Sequence, residues 1–128
     1  MCGLLTLCVH AQQRKMIQVD NTFDGREVTL QAGETLEVSL SENASTGHQW
    51  SIPPELKRKL APALREREET VEAPGGPPGR PGVRHLYFEA VAAGTADLEI
   101  HYRRSWESNK QPTRKFRLHV LVQSAPGR

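Results

Sequence analysis

Apolar and polar residues alternate along several stretches of the chain, with the period of two that is typical of β-strands with one buried face. The apolar positions of these stretches are Leu36, Val38 and Leu40; Leu86, Phe88 and Ala90; Leu98, Ile100 and Tyr102; and Phe116, Leu118, Val120 and Val122. A shorter strand is predicted through Val28 and Leu30, and residues 16–19 are a candidate for another. The pattern predicts an all-β domain in which each strand turns one row of side chains inward.

Turn-forming residues separate these predicted strands. Clusters of Gly, Asn, Asp or Pro occur at residues 21–25, 32–33, 43–47, 74–82 and 93–95. Several short strands joined by such turns are typical of a β-sandwich.

The segment between residues 53 and 82 departs from the alternation. We expect a helical turn within residues 54–60, with Pro54 in the first turn, where proline is tolerated. The highly charged residues 64–72 are predicted to form an edge strand or an exposed connector. Residues 73–82 contain four prolines and four glycines, which predicts a surface loop. The next strand is therefore expected only at residues 83–91.

The length and charge of the chain limit what it can be. Its 128 residues fit one domain, which we place at residues 16–123, between tails at 1–15 and 124–128. A net charge of +2 is too small to indicate a nucleic-acid partner or an anionic membrane. No apolar run approaches the ~20 residues of a membrane span. We expect a soluble monomer, because nothing in the sequence demands a larger assembly.

Residues 3–11 form a short apolar segment with two open interpretations. They resemble the end of a secretory signal, although only Met1 and Cys2 stand where a basic region belongs, or they form a first strand. The signal interpretation predicts a periplasmic or secreted protein. Cys2 and Cys8 lack Cys-x-x-Cys spacing, so neither a zinc site nor a redox motif is indicated, and we expect no cofactor.

Three segments at predicted strand ends carry the strongest functional signal. The first, with small hydroxyl residues and a glycine, is Asn43, Ala44, Ser45, Thr46, Gly47, His48, Gln49 and Trp50. The second, just before the strand at 83–91, is Gly79, Arg80, Pro81 and Gly82. The third, just after Tyr102, is Arg104, Ser105 and Trp106.

In this order the segments resemble the chagasin-like inhibitors of cysteine peptidases. That family shows an N-P-[ST]-T-G-[YF]-x-W loop, a G-x-G-G loop and an R-P-W loop, and the resemblance spans residues 16–122. Four positions depart from it. Ala44 and Ser105 stand in place of proline, His48 in place of an aromatic residue, and Pro81 in place of glycine. Pro81 has no N–H with which a second loop could bond to a peptidase.

The resemblance implies an immunoglobulin-like antiparallel β-sandwich with all three loops at one end. It also implies reversible, non-covalent, competitive inhibition of papain-like cysteine peptidases. The first loop would sit over the catalytic cysteine, and the other two would hold the sides of the cleft. The implied peptidase-binding residues are Asn43, Ala44, Ser45, Thr46, Gly47 and His48; Gly79, Arg80, Pro81 and Gly82; and Arg104, Ser105 and Trp106. The partner would be the peptidase, and no residue of this chain would need to react.

Simpler interpretations accompany several of these residues. Trp50 is expected in the core, whereas the polar residues around Trp106 favour an exposed loop. Asn43 begins a glycosylation sequon, but a glycan there would keep the first loop from entering a peptidase cleft as a wedge, so we expect none. His85, His101 and His119 are predicted on outer faces as solvated histidines rather than as a metal site.

Other functions remain open at this point. The same loops could serve an immunoglobulin-like module that binds carbohydrate or a cell-surface protein, or the domain could be purely structural. An enzyme is not expected, because the sequence shows no nucleophile elbow, P-loop or dinucleotide fingerprint.

Overall fold

The computed structural model describes residues 15–73, 76, 80–107 and 111–124. The N-terminal segment, with both cysteines and the possible signal, lies outside the described residues, and the expectations about it stay predictions. The β-strands are β1 (Met16–Asp20), β2 (Arg26–Gln31), β3 (Thr35–Glu42), β4 (His48–Ser51), β5 (Leu64–Glu72), β6 (Gly82–Ala90), β7 (Gly94–Arg104) and β8 (Arg114–Gln123). A single-turn helix, α1 (Pro54–Lys57), and 3-10 turns at Asn21–Phe23, Ala44–Thr46 and Ser105–Glu107 complete the description.

Two four-stranded sheets pack face to face and confirm the predicted β-sandwich. The first sheet has the order β1-β3-β6-β5, and the second has the order β2-β8-β7-β4. The charged segment at 64–72 is the edge strand β5, and the predicted helical turn is α1.

Strand direction corrects one part of the prediction. The pairs β3–β6, β5–β6, β4–β7 and β7–β8 are antiparallel, but β1–β3 and β2–β8 are parallel. The reason is that β1 and β2 run in opposite directions and belong to different sheets. Each therefore pairs with a strand of its own direction at a sheet edge instead of closing a hairpin with the other.

The core consists of the inward rows that the alternation predicts. Its fully buried members include Leu36, Val38 and Leu40 of the first sheet, Leu98 and Ile100 of the second, and Trp50, Phe88 and Phe116 between them. Burial of such large apolar side chains is the main stabilising contribution to the fold.

Polar residues on the outer faces are less solvated than predicted. His101 is only 7% exposed, because its neighbours along β7 and β8 cover it, and its Nε2 lies 2.7 Å from Glu99. Glu37 is 5% exposed and accepts hydrogen bonds from Gln18 at 2.8 Å and Ser39 at 3.2 Å. His85 lies in the first sheet, whereas His101 and His119 lie in the second, so the three do not form one cluster.

Candidate functional site

Strand register brings the described residues of the three predicted loops to one end of the sandwich. Glu42, the last residue of β3, pairs with Gly82, the first residue of β6. His48, the first residue of β4, pairs with Arg104, the last residue of β7. Since residues 43–47 join β3 to β4, residues 43–48, 80–82 and 104–107 share one end of the molecule, which we call the loop pole.

The first loop (43–47) is held by its own hydrogen bonds. The Oδ1 atom of Asn43 accepts from the Ser45 amide at 3.2 Å and from the Ser45 hydroxyl at 2.6 Å. The carbonyl of Asn43 accepts from the Thr46 amide at 3.2 Å and from the Thr46 hydroxyl at 2.8 Å. Short polar side chains bond to nearby backbone in this way in turns. The loop is therefore ordered by local bonds within the free chain.

Gly47 ends the first loop and contacts the third. Its φ is +82°, and a Cβ built on it would lie 2.6 Å from Cη2 of Trp106. The indole thus lies directly against the glycine backbone. Trp106 is nevertheless 68% exposed, so most of its surface remains available to a partner.

Arg104 links the third loop to the first through its guanidinium group. Its Nε donates to the carbonyl of Thr46 at 3.0 Å. Its Cζ lies 6.0 Å from the ring centroid of Trp106, and its Nη1 lies 3.5 Å from a carboxylate oxygen of Glu107. The fixed fork of an arginine can serve such divergent partners at once. Arg104 therefore fixes the backbone of Thr46 relative to Trp106.

Tyr102 and His48 support the loop pole from below. The Tyr102 hydroxyl accepts from the Asn43 amide at 2.9 Å, and its ring stacks on His48 with a centroid distance of 5.1 Å. The His48 ring also lies 2.9 Å from the Thr46 hydroxyl and 3.1 Å from the Thr113 hydroxyl. Because the Thr46 proton is directed to Asn43, Nδ1 of His48 is the donor to Thr46. These contacts join the first loop to the segment that follows the third.

The second segment is only partly described. Gly79 lies outside the described residues, whereas Arg80 and Pro81 are exposed beside the start of β6. Gly82, predicted as a loop residue, is instead a buried strand residue, because its backbone pairs with Glu42. Arg104 is likewise the last residue of β7 rather than a loop residue.

The other predicted residues lie in the short turns of the first and third loops or in the core. Ala44, Ser45 and Thr46 form the 3-10 turn of the first loop, and Ser105 and Trp106 lie in that of the third. Trp50 is 2% exposed, which confirms its assignment to the core.

Sequence reasoning missed four residues that contact or support the loops. They are Tyr102, Thr113, Glu42 and Arg84. The alternation places Tyr102 only in an inward row, and its hydroxyl is the available signal, because a buried tyrosine hydroxyl needs a partner.

Among the described residues, no group of three or more His, Cys, Asp or Glu is arranged to hold a metal ion. Nor does that part of the chain contain a helix long and apolar enough to cross a membrane. What the loop pole presents is an exposed indole, exposed hydroxyl groups and a guanidinium group fixed to backbone.

A rigid sandwich with ordered loops and an exposed aromatic anchor at one end defines a protein-binding module of the immunoglobulin-like class. The sequence profile of the chagasin family of peptidase inhibitors, I42, matches residues 29–120. The chain belongs to this family. The family comprises inhibitors of peptidases, which confirms the expectation that the chain is not an enzyme.

Individual relatives agree with this assignment. The chain is 29% identical over 108 residues to chagasin from Trypanosoma cruzi, covering 80% of this chain and 94% of that protein. It is 26% identical over 102 residues to amoebiasin-2 from Entamoeba histolytica, covering 77% and 79%. The crystal structure of the cysteine protease inhibitor EhICP2 from Entamoeba histolytica superposes with a TM-score of 0.70 at 20% identity, covering 87% and 98%. That likeness shows that the two chains share the sandwich fold.

Proposed function

We propose that this chain is a reversible, non-covalent, competitive inhibitor of papain-like cysteine peptidases whose loop pole occupies the active-site cleft. The observation that carries the proposal is the contact between Gly47 and Trp106, together with the bond from Arg104 to the carbonyl of Thr46. These contacts make the first and third loops one continuous wedge. The relative EhICP2 is described as a cysteine protease inhibitor, which supports the same class of target.

The internal bonding of the wedge favours tight binding. A loop that is already ordered loses little conformational entropy when it binds. The hydrogen bonds of Asn43, Thr46 and Arg104 supply that order before any partner arrives. The rigid sandwich beneath also keeps the loops close to their bound positions.

Trp106 is the side chain best suited to anchor the complex. It is 68% exposed, so on the order of 150 Å² of its surface can be buried, worth at most about 4 kcal/mol at ~25 cal/mol per Å². Arg104 beside it adds guanidinium donors, and both residue types are enriched among interface hot spots.

Non-covalent binding fits the chemistry of the first loop. The Thr46 hydroxyl already bonds to the carbonyl of Asn43 and to His48, so it is held as a contact surface and not activated as a nucleophile. The loop would exclude substrate and water from the cleft by occupying it.

Inhibition of papain by the purified chain tests the proposal. The unaltered chain is expected to inhibit at low-nanomolar to micromolar concentration, and mass spectrometry is expected to show no covalent adduct. Trp106→Ala is expected to raise the inhibition constant roughly thirtyfold or more, which is a loss of about 2 kcal/mol of binding free energy, because it removes the anchor.

Val91→Ala is the matched control. Val91 is another exposed apolar residue, 40% exposed, but it follows β6 at the opposite end of the sandwich. Its truncation is expected to change the inhibition constant by no more than about twofold. Full potency in Trp106→Ala, or an unaltered chain that leaves papain active, would reject the proposed wedge.

A further inference from the structure

A buried ion pair lies directly beneath the first and second loops. Glu42 is 3% exposed and Arg84 is 7% exposed, and both belong to the buried rows of their strands. Nε of Arg84 donates to one carboxylate oxygen of Glu42 at 2.6 Å, and Nη2 donates to the other at 3.0 Å. This two-pronged geometry is the most specific that arginine and a carboxylate can form. The hydrogen bonding of Arg84 to the Glu42 carboxylate outweighs burial and raises the pKa of Arg84, so the guanidinium stays charged.

The same carboxylate also reaches the second sheet. Oε1 of Glu42 accepts from the Trp50 amide at 3.0 Å, and the Trp50 indole N–H donates to the carbonyl of Ser41 at 2.7 Å. Glu42 immediately precedes the first loop, and Trp50 is three residues beyond its end. The two strands that carry the first loop, β3 and β4, are therefore tied together at its base.

Arg84 extends this connection to the second loop. It lies two residues after Gly82 on β6, where the second loop ends. Glu42, the last residue of β3, thus bonds both to β4 and to β6, the strand that follows the second loop. Arg84 also bonds to Glu69 of β5 on the solvent side, where the Glu69 side chain is 52% exposed.

This ion pair is expected to contribute more to the positions of the loops than to the free energy of unfolding. The cost of removing two charges from water usually cancels most of their attraction, and apolar replacements of similar volume are often neutral or stabilising. We propose that the buried Glu42–Arg84 ion pair is a positioning element that fixes the first loop relative to residues 80–82 and so sets the affinity for the peptidase. The affinity part of this inference rests on the function proposed above.

The double variant Glu42→Gln with Arg84→Met separates positioning from stability. The introduced glutamine can still accept from the Trp50 amide, and the introduced methionine fills the space of the arginine stem without leaving an unpaired charge. The variant is expected to keep its thermal midpoint within a few degrees of the unaltered chain. It is nevertheless expected to inhibit papain at least about tenfold more weakly.

Glu69→Gln is the matched control, because it alters the same arginine on the side away from the loops. It is expected to inhibit within about twofold of the unaltered chain. Amide chemical shifts give a readout that does not need a peptidase. In the double variant, the amides of residues 43–47, Arg80 and Gly82 are expected to shift, while those of the turn at 91–93 at the opposite end are not.

The possible outcomes distinguish a failure of the positioning inference from a failure of the proposed function. A folded double variant that inhibits like the unaltered chain, or whose loop amides do not shift, would overturn the inference. If the double variant fails to fold, Arg84→Lys decides, since lysine keeps the charge but cannot donate from two nitrogens. That variant is expected to inhibit several-fold more weakly, and unchanged inhibition would overturn the inference. If the unaltered chain itself does not inhibit papain, the proposed function fails and the amide shifts still test the positioning.

Discussion

Two separate constraints keep a side chain out of position 47. The backbone at Gly47 has φ +82°, a region that L-residues enter only with strain, and the Trp106 indole fills the space where a Cβ would lie. The first constraint concerns the stability of the loop. The second concerns the wedge, because any Cβ must displace the indole.

Gly47→Ala is therefore expected to lose both stability and inhibition. Backbone strain is expected to lower the free energy of unfolding by about 1–2 kcal/mol. Displacement of Trp106 is expected to weaken papain inhibition by at least about tenfold. Chemical denaturation and steady-state inhibition measure the two effects.

Gly25→Ala separates the two effects in that prediction. Gly25 has the same φ of +82°, but a Cβ there would meet nothing within 4 Å. This variant is expected to show a similar loss of stability with inhibition unchanged. Equal loss of inhibition in both variants would contradict the role given to the Gly47–Trp106 contact.

Among the strands and loops, the local sequence pattern predicted most of the elements. The features that it did not predict depend on pairing between residues far apart in sequence. Alternation located the inward rows, and turn residues located the loops, because both depend on near neighbours in sequence. Alternation places Arg84 on the same inward face as Leu86 and Phe88, but nothing near it in sequence indicated which partner would accept its charge there. Its burial depends on Glu42, which is 42 residues away.

Strand direction and strand ends escaped prediction for a similar reason. The parallel pairings of β1 and β2 depend on which sheet each strand joins, and alternation carries no information on that choice. Gly82 and Arg104 were predicted in loops, but backbone pairing with the neighbouring strand of the same sheet extends β6 and β7 to include them. The motifs indicated the first and third loops, which contact each other, whereas Tyr102 and Thr113 became visible only through their contacts.

Arg104→Lys tests the coupling of the first loop to the third. Lysine has no Nε–H at the position that bonds to the carbonyl of Thr46, and its ammonium is a single point donor. Stability is expected to change by less than about 0.5 kcal/mol, because the side chain is partly exposed. Inhibition of papain is expected to weaken several-fold. An inhibition constant equal to that of the unaltered chain would show that the two loops act independently.

At the scale of the whole molecule, two outer-face carboxylates link stability to pH. Burial tends to raise the pKa of Glu37, but hydrogen bonds from Gln18, His85 and Ser39 together hold it below its ordinary value near 4.5. The hydrogen bond with His101 lowers the pKa of Glu99, with burial opposing it. Because both folded pKa values lie below the unfolded ones, the unfolded chain takes up protons first as the pH falls. Their stabilising contribution is therefore complete above the ordinary pKa and is lost as the pH falls through the folded one.

Glu37→Gln is expected to flatten the acid side of the stability curve. Between about pH 5 and about pH 3, the variant should lose less of its free energy of unfolding than the unaltered chain does. Chemical denaturation at a series of pH values measures the difference. Glu68→Gln, which alters an exposed carboxylate on β5, is the control and should follow the unaltered curve. Parallel curves for all three proteins would contradict the assignment.

The proposed inhibition rests on one claim, that the loop pole and a peptide substrate compete for one cleft. The most direct measurement is the initial rate of papain over a range of substrate concentrations at several fixed concentrations of this chain. Occupation of the cleft predicts that the apparent KM rises in proportion to inhibitor while the maximal rate stays constant. A falling maximal rate at constant KM would contradict the claim, because the chain would then bind papain without excluding its substrate.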